Sequence, residues 1–386
     1  MAPWTTFCIV ACWLSAASPA GLAATAPAAG VPAAASAACL CCHENARGIL
    51  EGVMATRAGE RAFARRAFGT EEGERFFTES CSGCHVAGCA DCHGETAHPA
   101  GRPADDACLR CHRGYSVGWE YEGKAPRDDH SRYRRGATSQ GEPFLTMLPD
   151  VHFERGMTCA DCHPMRSLHQ GRLGAKGCRD CHRSPSARSP EHAITAHLES
   201  MTCVACHAAW AAQEYGTFLV RPTTDEQRSE FAPLPAWGPW RKSAQIKRQD
   251  APPLGLDAHG LVAPIRPLFV LFVTDASRGW ENHLAAAEWR AVTPHTVRRG
   301  TVACGGCHDN PRRFLLEPDA ERLYQLDKDG LALRSYWSRD GQSVVNGSFF
   351  PTERHERMNT KTPEFARQVV RRWQSLLDHA DPRSKR

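Results

Sequence analysis

The feature that most constrains this chain is a five-residue pattern, Cys-x-x-Cys-His, which occurs eight times. Two copies almost touch: Cys81, Cys84 and His85 are followed after three residues by Cys89, Cys92 and His93. The other six are Cys39, Cys42 and His43; Cys108, Cys111 and His112; Cys159, Cys162 and His163; Cys178, Cys181 and His182; Cys203, Cys206 and His207; and Cys304, Cys307 and His308. This is the pattern by which a chain attaches c-type haem. Two thiols form thioethers to the porphyrin, and the adjoining His is held beneath the ring as an iron ligand.

Two bland readings compete. Paired cysteines also make half of a structural zinc site, but zinc asks for no His directly after the second Cys, and all eight pairs have one. Disulfides fare worse, because sixteen of the nineteen cysteines fall in the motifs and only Cys8, Cys12 and Cys41 remain. Eight covalent haems, with their iron, are therefore the expected cofactors. The formal charge of +4 then describes only the polypeptide. Propionates bring eight ferric haems to about −8 in total, so the assembled protein is expected to be acidic, and the basic balance is no argument for nucleic acid. Forty Arg against seven Lys suits two-point holding of propionates, and equally suits a GC-rich coding bias.

Residues 1–24 read as a signal peptide: Phe7 to Leu14 is a short apolar run, and small residues lead to cleavage near Ala23 or Ala24. Ile9-Val10-Ala11-Cys12 also matches a lipoprotein box, which would leave lipid on Cys12. Either route implies export to the periplasm or beyond, where c-type haem is attached. Membrane contact is expected only through lipid at Cys12 or through a partner.

Residues 25–38 are an Ala/Pro-rich leader without core-forming side chains. A multihaem domain is expected over 39–207, carrying the first seven motifs, with amphipathic helices in 44–80 around Ile49, Leu50, Met54 and Phe63. An aromatic-rich, partly β insertion occupies 208–303, where Asp257 to Gly260 forms a hairpin turn before the strand-like run Leu268 to Val273. The eighth motif and a helical tail fill 304–386. In that tail Thr362, Pro363 and the stripe Phe365, Val369, Trp373, Leu376 and Leu377 specify a terminal helix ending near His379. The fold expected from these signals is mainly α with much irregular coil, built around a packed haem chain, with only a small β insertion before the last haem.

Eight irons need eight second axial ligands if all are six-coordinate. Eleven histidines lie outside the motifs, and eight are the expected distal ligands: His98, His130, His152, His169, His192, His197, His283 and His295, with His355 in reserve. His259 in its turn and His379 near the tail are the expected non-ligands. Which His serves which iron is not legible in the sequence.

The tandem motif pair, the long aromatic-rich stretch before the last motif and the helical tail resemble the large multihaem cytochromes c that include octahaem tetrathionate reductase, hydroxylamine oxidoreductase and pentahaem nitrite reductase. Three phrases, Asp150-Val151-His152-Phe153-Glu154-Arg155-Gly156-Met157-Thr158-Cys159, Ala211 to Phe218, and Pro294-His295-Thr296 through His308 to Arg313, look closer to the multihaem cytochromes of selenite and tellurite reduction operons. That resemblance implies electron transfer in a respiratory or extracellular pathway, with a quinol dehydrogenase or periplasmic and outer-membrane cytochromes as partners. A carrier is expected over the alternative, a reductase of a small oxyanion or a nitrogen or sulfur compound at one open haem. The histidines outnumber the ligand positions, no motif carries a substituted proximal ligand, and Lys124 reads as a surface charge.

Overall fold

The computed structural model describes residues 40, 43, 46–81, 86, 88–94, 102–109, 112, 119–122, 134–139, 142–146, 150–170, 174–183, 191–299, 302, 304–318, 339, 342–360 and 363–380. The chain divides into two compact units, Met1–His112 with Thr158–Gly177, and Arg113–Met157 with Cys178–Arg386. The first unit thus holds the first five motifs; the sixth and seventh belong with the eighth in the second.

The first unit is helical. Arg47–Glu51 and Val53–Thr56 lead into Ala58–Phe68 and Thr70–Phe76, continued by a π turn over Phe77–Cys81. Phe63, Ala64, Ala67 and Phe68 recur at helical spacing and are buried, facing Gly73, Phe76 and Phe77 of the next helix. The two helices meet so closely at Gly73 that a Cβ there would lie 2.5 Å from the Arg65 Cα. The rings of Phe68 and Phe76 stand 4.5 Å apart beside this crossing.

Among the described residues the second unit contains two sheets. β1 (Trp119–Glu122), β2 (Arg134–Ser139) and β3 (Glu142–Thr146) form a three-stranded antiparallel sheet in the order β1-β3-β2. The larger sheet has seven strands: β4 (Trp210–Val220), β5 (Ala236–Trp237), β6 (Trp240–Asp250), β7 (Leu254–Asp257), β8 (Val262–Asp275), β9 (Trp280–Ala291) and β10 (Gly347–Phe349). Its order is β10-β7-β8-β4-β6-β5, with β9 on the other edge of β8. The β4–β8 pairing is parallel, and the other ladders are antiparallel. The turn expected at Asp257 to Gly260 joins β7 to β8; the Asp257 carboxylate accepts the His259 and Leu261 amides at 2.9 and 3.0 Å, and Gly260 takes a φ of 75°.

The expectation of a mainly α, coil-rich chain with a small β insertion is overturned by this sheet. β4, β6, β8 and β9 are each eleven to fourteen residues long, and β10 is recruited from beyond the last motif. The physical reason lies in the interior. Eight haems lead one to expect porphyrin to supply most of the apolar burial, whereas here side chains supply it: Ile265, Trp289, Ala291, Leu315 and Val344 make one core cluster, with Phe349 against it. Ala205, Leu254, Val262, Phe314 and Phe350 make a second, against which Met201, Cys307 and Met358 pack. That second cluster reaches into the seventh and eighth motifs, so the sheet is the platform on which they stand. The terminal helix begins at Pro363, as the sequence predicts, and runs to Ala380; its Val370, Trp373 and Leu377 are exposed.

Candidate functional site

The described motifs share one local structure. Cys159–Cys162, Cys178–Cys181 and Cys203–His207 are single helical turns, Ala90–His93 is another, and Cys304–Gly306 is a 3-10 turn. In five motifs the amide of the His donates to the carbonyl of the first Cys: His93, His112, His163, His182 and His308, at 2.8–3.0 Å. A helical turn puts positions i, i+3 and i+4 on one face. Both thiols and the imidazole of a motif are therefore presented together, as attachment to a porphyrin edge and ligation beneath its ring demand. Asp at the third motif position helps close the turn. Asp91 accepts the Gly88 amide at 2.9 Å and Asp161 the Thr158 amide at 2.8 Å, the latter within a capping box on Cys159–Cys162.

The second unit brings three motif histidines opposite three of the expected distal ones. Ring centres lie 6.0 Å apart for His152 and His182, 5.9 Å for His192 and His207, and 6.1 Å for His197 and His308. An ion bound in line by two imidazoles at about 2 Å each, with about 1.1 Å from nitrogen to ring centre, requires ring centres about 6.2 Å apart. Simple aromatic contact also spans such distances, so the separation alone is not specific. The pairing is: every one of the three joins a motif His to a non-motif His.

In each pair the Nδ1 of one ring is also engaged. His207 Nδ1 bonds the Arg298 carbonyl at 3.1 Å and His308 Nδ1 the Met358 carbonyl at 3.1 Å. His152 Nδ1 donates to Asp150 Oδ1 at 2.7 Å. Iron-ligating histidines are oriented by such partners, which fix the tautomer and leave Nε2 as the donor. Burial, and then the nearby His308, lower His197 from the ordinary imidazole value, which favours the neutral form in which it can ligate. These residues fit the axial demand of a haem iron, which asks the protein for two donors only. Among the described residues no group of three or more His, Cys, Asp or Glu side chains is arranged to hold a metal ion, so a closed zinc site is not assembled there.

Thiols of neighbouring motifs lie side by side. Cys108 and Cys159 hydrogen-bond, which lowers Cys108 to about 7 and raises Cys159. Cys178 and Cys203 do the same, and that bond lowers Cys203 to about 6. Cys206 is pushed up to about 11 by burial and then by the charge of Cys307. Motif four thus neighbours motif five in the first unit, while six, seven and eight follow one another in the second. Arg313, only 4% exposed, stands beside Cys307 and Cys206 and donates through Nη2 to the Ala205 carbonyl at 3.2 Å.

The remaining expected ligands divide. His283 lies on the exposed part of β9 and stacks on Trp280 at 4.4 Å. His295 is exposed, while the following residue, Thr296, is buried and bonds Trp210. His169 sits on the helix Met165–Gln170. His98, His130 and His85 lie outside the described residues, as do Cys39, Cys42, Cys84 and Cys111 and the spare thiols Cys8, Cys12 and Cys41. His355, the reserve, is buried against Phe314 and contacts Asn359. Sequence reasoning missed Asp150 and the backbone of 296–298. The Asp-x-His spacing of Asp150 and His152 was the one available signal.

No helix among the described residues is long and apolar enough to cross a membrane. No protein-family model, curated protein or solved structure matches the chain.

Proposed function

We propose that the chain is an exported multihaem cytochrome c, with haem attached at each of its eight motifs, that carries electrons between other redox proteins. The observation that supports this best is the set of three histidine pairs, each joining a motif His to a distal His at the spacing one iron requires. Bound haem would supply one-electron ferric/ferrous chemistry. The chain's own residues do the rest. Helical turns present two thiols and one imidazole each, His152, His192 and His197 close the opposite faces, and the carbonyls of Arg298 and Met358 hold the rings of His207 and His308 in line. The contacts of Cys178 with Cys203 and of Cys206 with Cys307 set the sixth, seventh and eighth attachment sites in succession, the arrangement a carrier needs for transfer between neighbours.

Expression with a c-type maturation system, followed by pyridine haemochrome and intact mass, tests this reading. Eight haems per chain and a low-spin ferric spectrum are the expected result. Zinc in place of haem would overturn it. An iron that is high-spin at rest and rapidly reoxidised by nitrite, hydroxylamine, tetrathionate or selenite would replace the carrier with a reductase.

A further inference from the structure

We propose that Asp150 tunes the axial histidine His152, making the haem attached at Cys178 and Cys181 the lowest in potential of the three carried by the second unit. This rests on the haem reading above. Asp150 is 5% exposed and pinned by three N–H groups: Oδ1 accepts the His152 amide at 2.8 Å and His152 Nδ1 at 2.7 Å, and Oδ2 accepts the Val297 amide at 2.7 Å. A carboxylate on the outer nitrogen of an axial imidazole makes the inner nitrogen a stronger donor, which favours ferric iron. The motif histidines at the other two pairs are treated differently. His207 and His308 give Nδ1 to uncharged carbonyls, each at a longer 3.1 Å.

A second asymmetry acts in the same direction. The guanidinium of Arg313 is a buried cation that hydrogen-bonds Cys307 and lies next to Cys206, the second thiols of motifs eight and seven. A cation in a poorly solvated site stabilises the added electron of a reduced neighbour. One end of the three-motif row therefore carries an anion on its axial ligand, and the other end carries a cation beside its attachment sulfurs. The row descends in energy for an electron from motif six towards seven and eight. The segment that pins Asp150 also orients the middle motif: Val297 N–H holds Asp150 while the next carbonyl, Arg298, holds His207.

The test is a spectroelectrochemical titration of the full-length holoprotein and its variants, with haem count and low-spin count measured alongside. In Asp150→Asn one midpoint should rise by at least tenfold in the ferric/ferrous equilibrium, 59 mV for a one-electron couple. The haem that moves should be the one that turns high-spin in His152→Ala. Arg313→Met should lower the midpoints of two other haems, and Arg313→Lys should leave them in place. Unmoved midpoints in Asp150→Asn, movement of a haem that His152→Ala leaves low-spin, or loss of the low-spin signal in Asp150→Asn would each overturn the proposal. Absence of haem from the wild-type chain would instead refute the functional reading on which it rests.

Discussion

His192 and His197 are five residues apart, yet the structure sets them against different motif histidines, His192 against His207 of motif seven and His197 against His308 of motif eight, so on the proposed function they serve different irons. Each replaced by Ala therefore leaves a different haem five-coordinate. The magnitude is stoichiometric: one of eight haems becomes high-spin in each single variant, two in the double variant and three when His152→Ala is added. The effects should sum because each ring serves a separate partner, the condition under which substitutions are additive. All three side chains are only partly buried, so truncation should cost on the order of 1 kcal/mol of stability and leave the fold intact. Haem attachment depends on the motif cysteines and should stay at eight. Electron paramagnetic resonance, with spin quantitation against total haem, reads the count, and added imidazole should restore the low-spin signal by refilling the vacated position. If His192→Ala and His197→Ala abolish the same low-spin signal, or if the double variant shows one high-spin haem, the assignment of His192 to motif seven and His197 to motif eight is wrong.

Phe314→Ala should destabilise the second unit by about 3–5 kcal/mol, because the ring is 2% exposed and packs on Phe350 at 4.5 Å and His355 at 5.2 Å; unchanged hydrogen exchange in 262–275 would refute this. Leu377→Ala on the exposed side of the terminal helix should stay within about 0.5 kcal/mol in the same assay, and a larger loss would mean that this side is covered. Gly255→Val should disrupt the β7–β10 ladder, since even a Cβ would lie 2.7 Å from the Ser348 carbonyl oxygen and 2.8 Å from Ile265; normal protection of the 347–349 amides would contradict the register. Asp161 is held below its usual carboxylate range by the Thr158 amide and hydroxyl, with Arg102 adding to the effect. A depressed folded pKa contributes stability above the unfolded value of about 3.9, and that stability is lost as pH falls through the folded value. Asp161→Asn should therefore flatten the acid limb of the first unit's unfolding curve, and identical limbs would count against the capping box.

The sequence by itself laid out the eight motifs. Cys-x-x-Cys-His is a local pattern, and one helical turn suffices to put its two thiols and imidazole on one face, so its eight copies could be read without knowing the fold. The Asp257 to Gly260 turn and the start of the terminal helix at Pro363 were legible for the same reason, since each depends on a few neighbouring residues. Only the tertiary structure decided how much of the chain is sheet. The ladders that matter join residues far apart, as in Thr217 with Leu271 or Gly347 with Asp257, and no local period announces such a partner. It also decided which histidine faces which: His152 lies seven residues before Cys159 but faces His182, and His197 lies six before Cys203 but faces His308. A ligand is chosen by where the sheet and loops set its backbone, not by distance along the chain. Asp150 shows the same limit, since its carboxylate gains its role only when Val297, 147 residues away, closes over it.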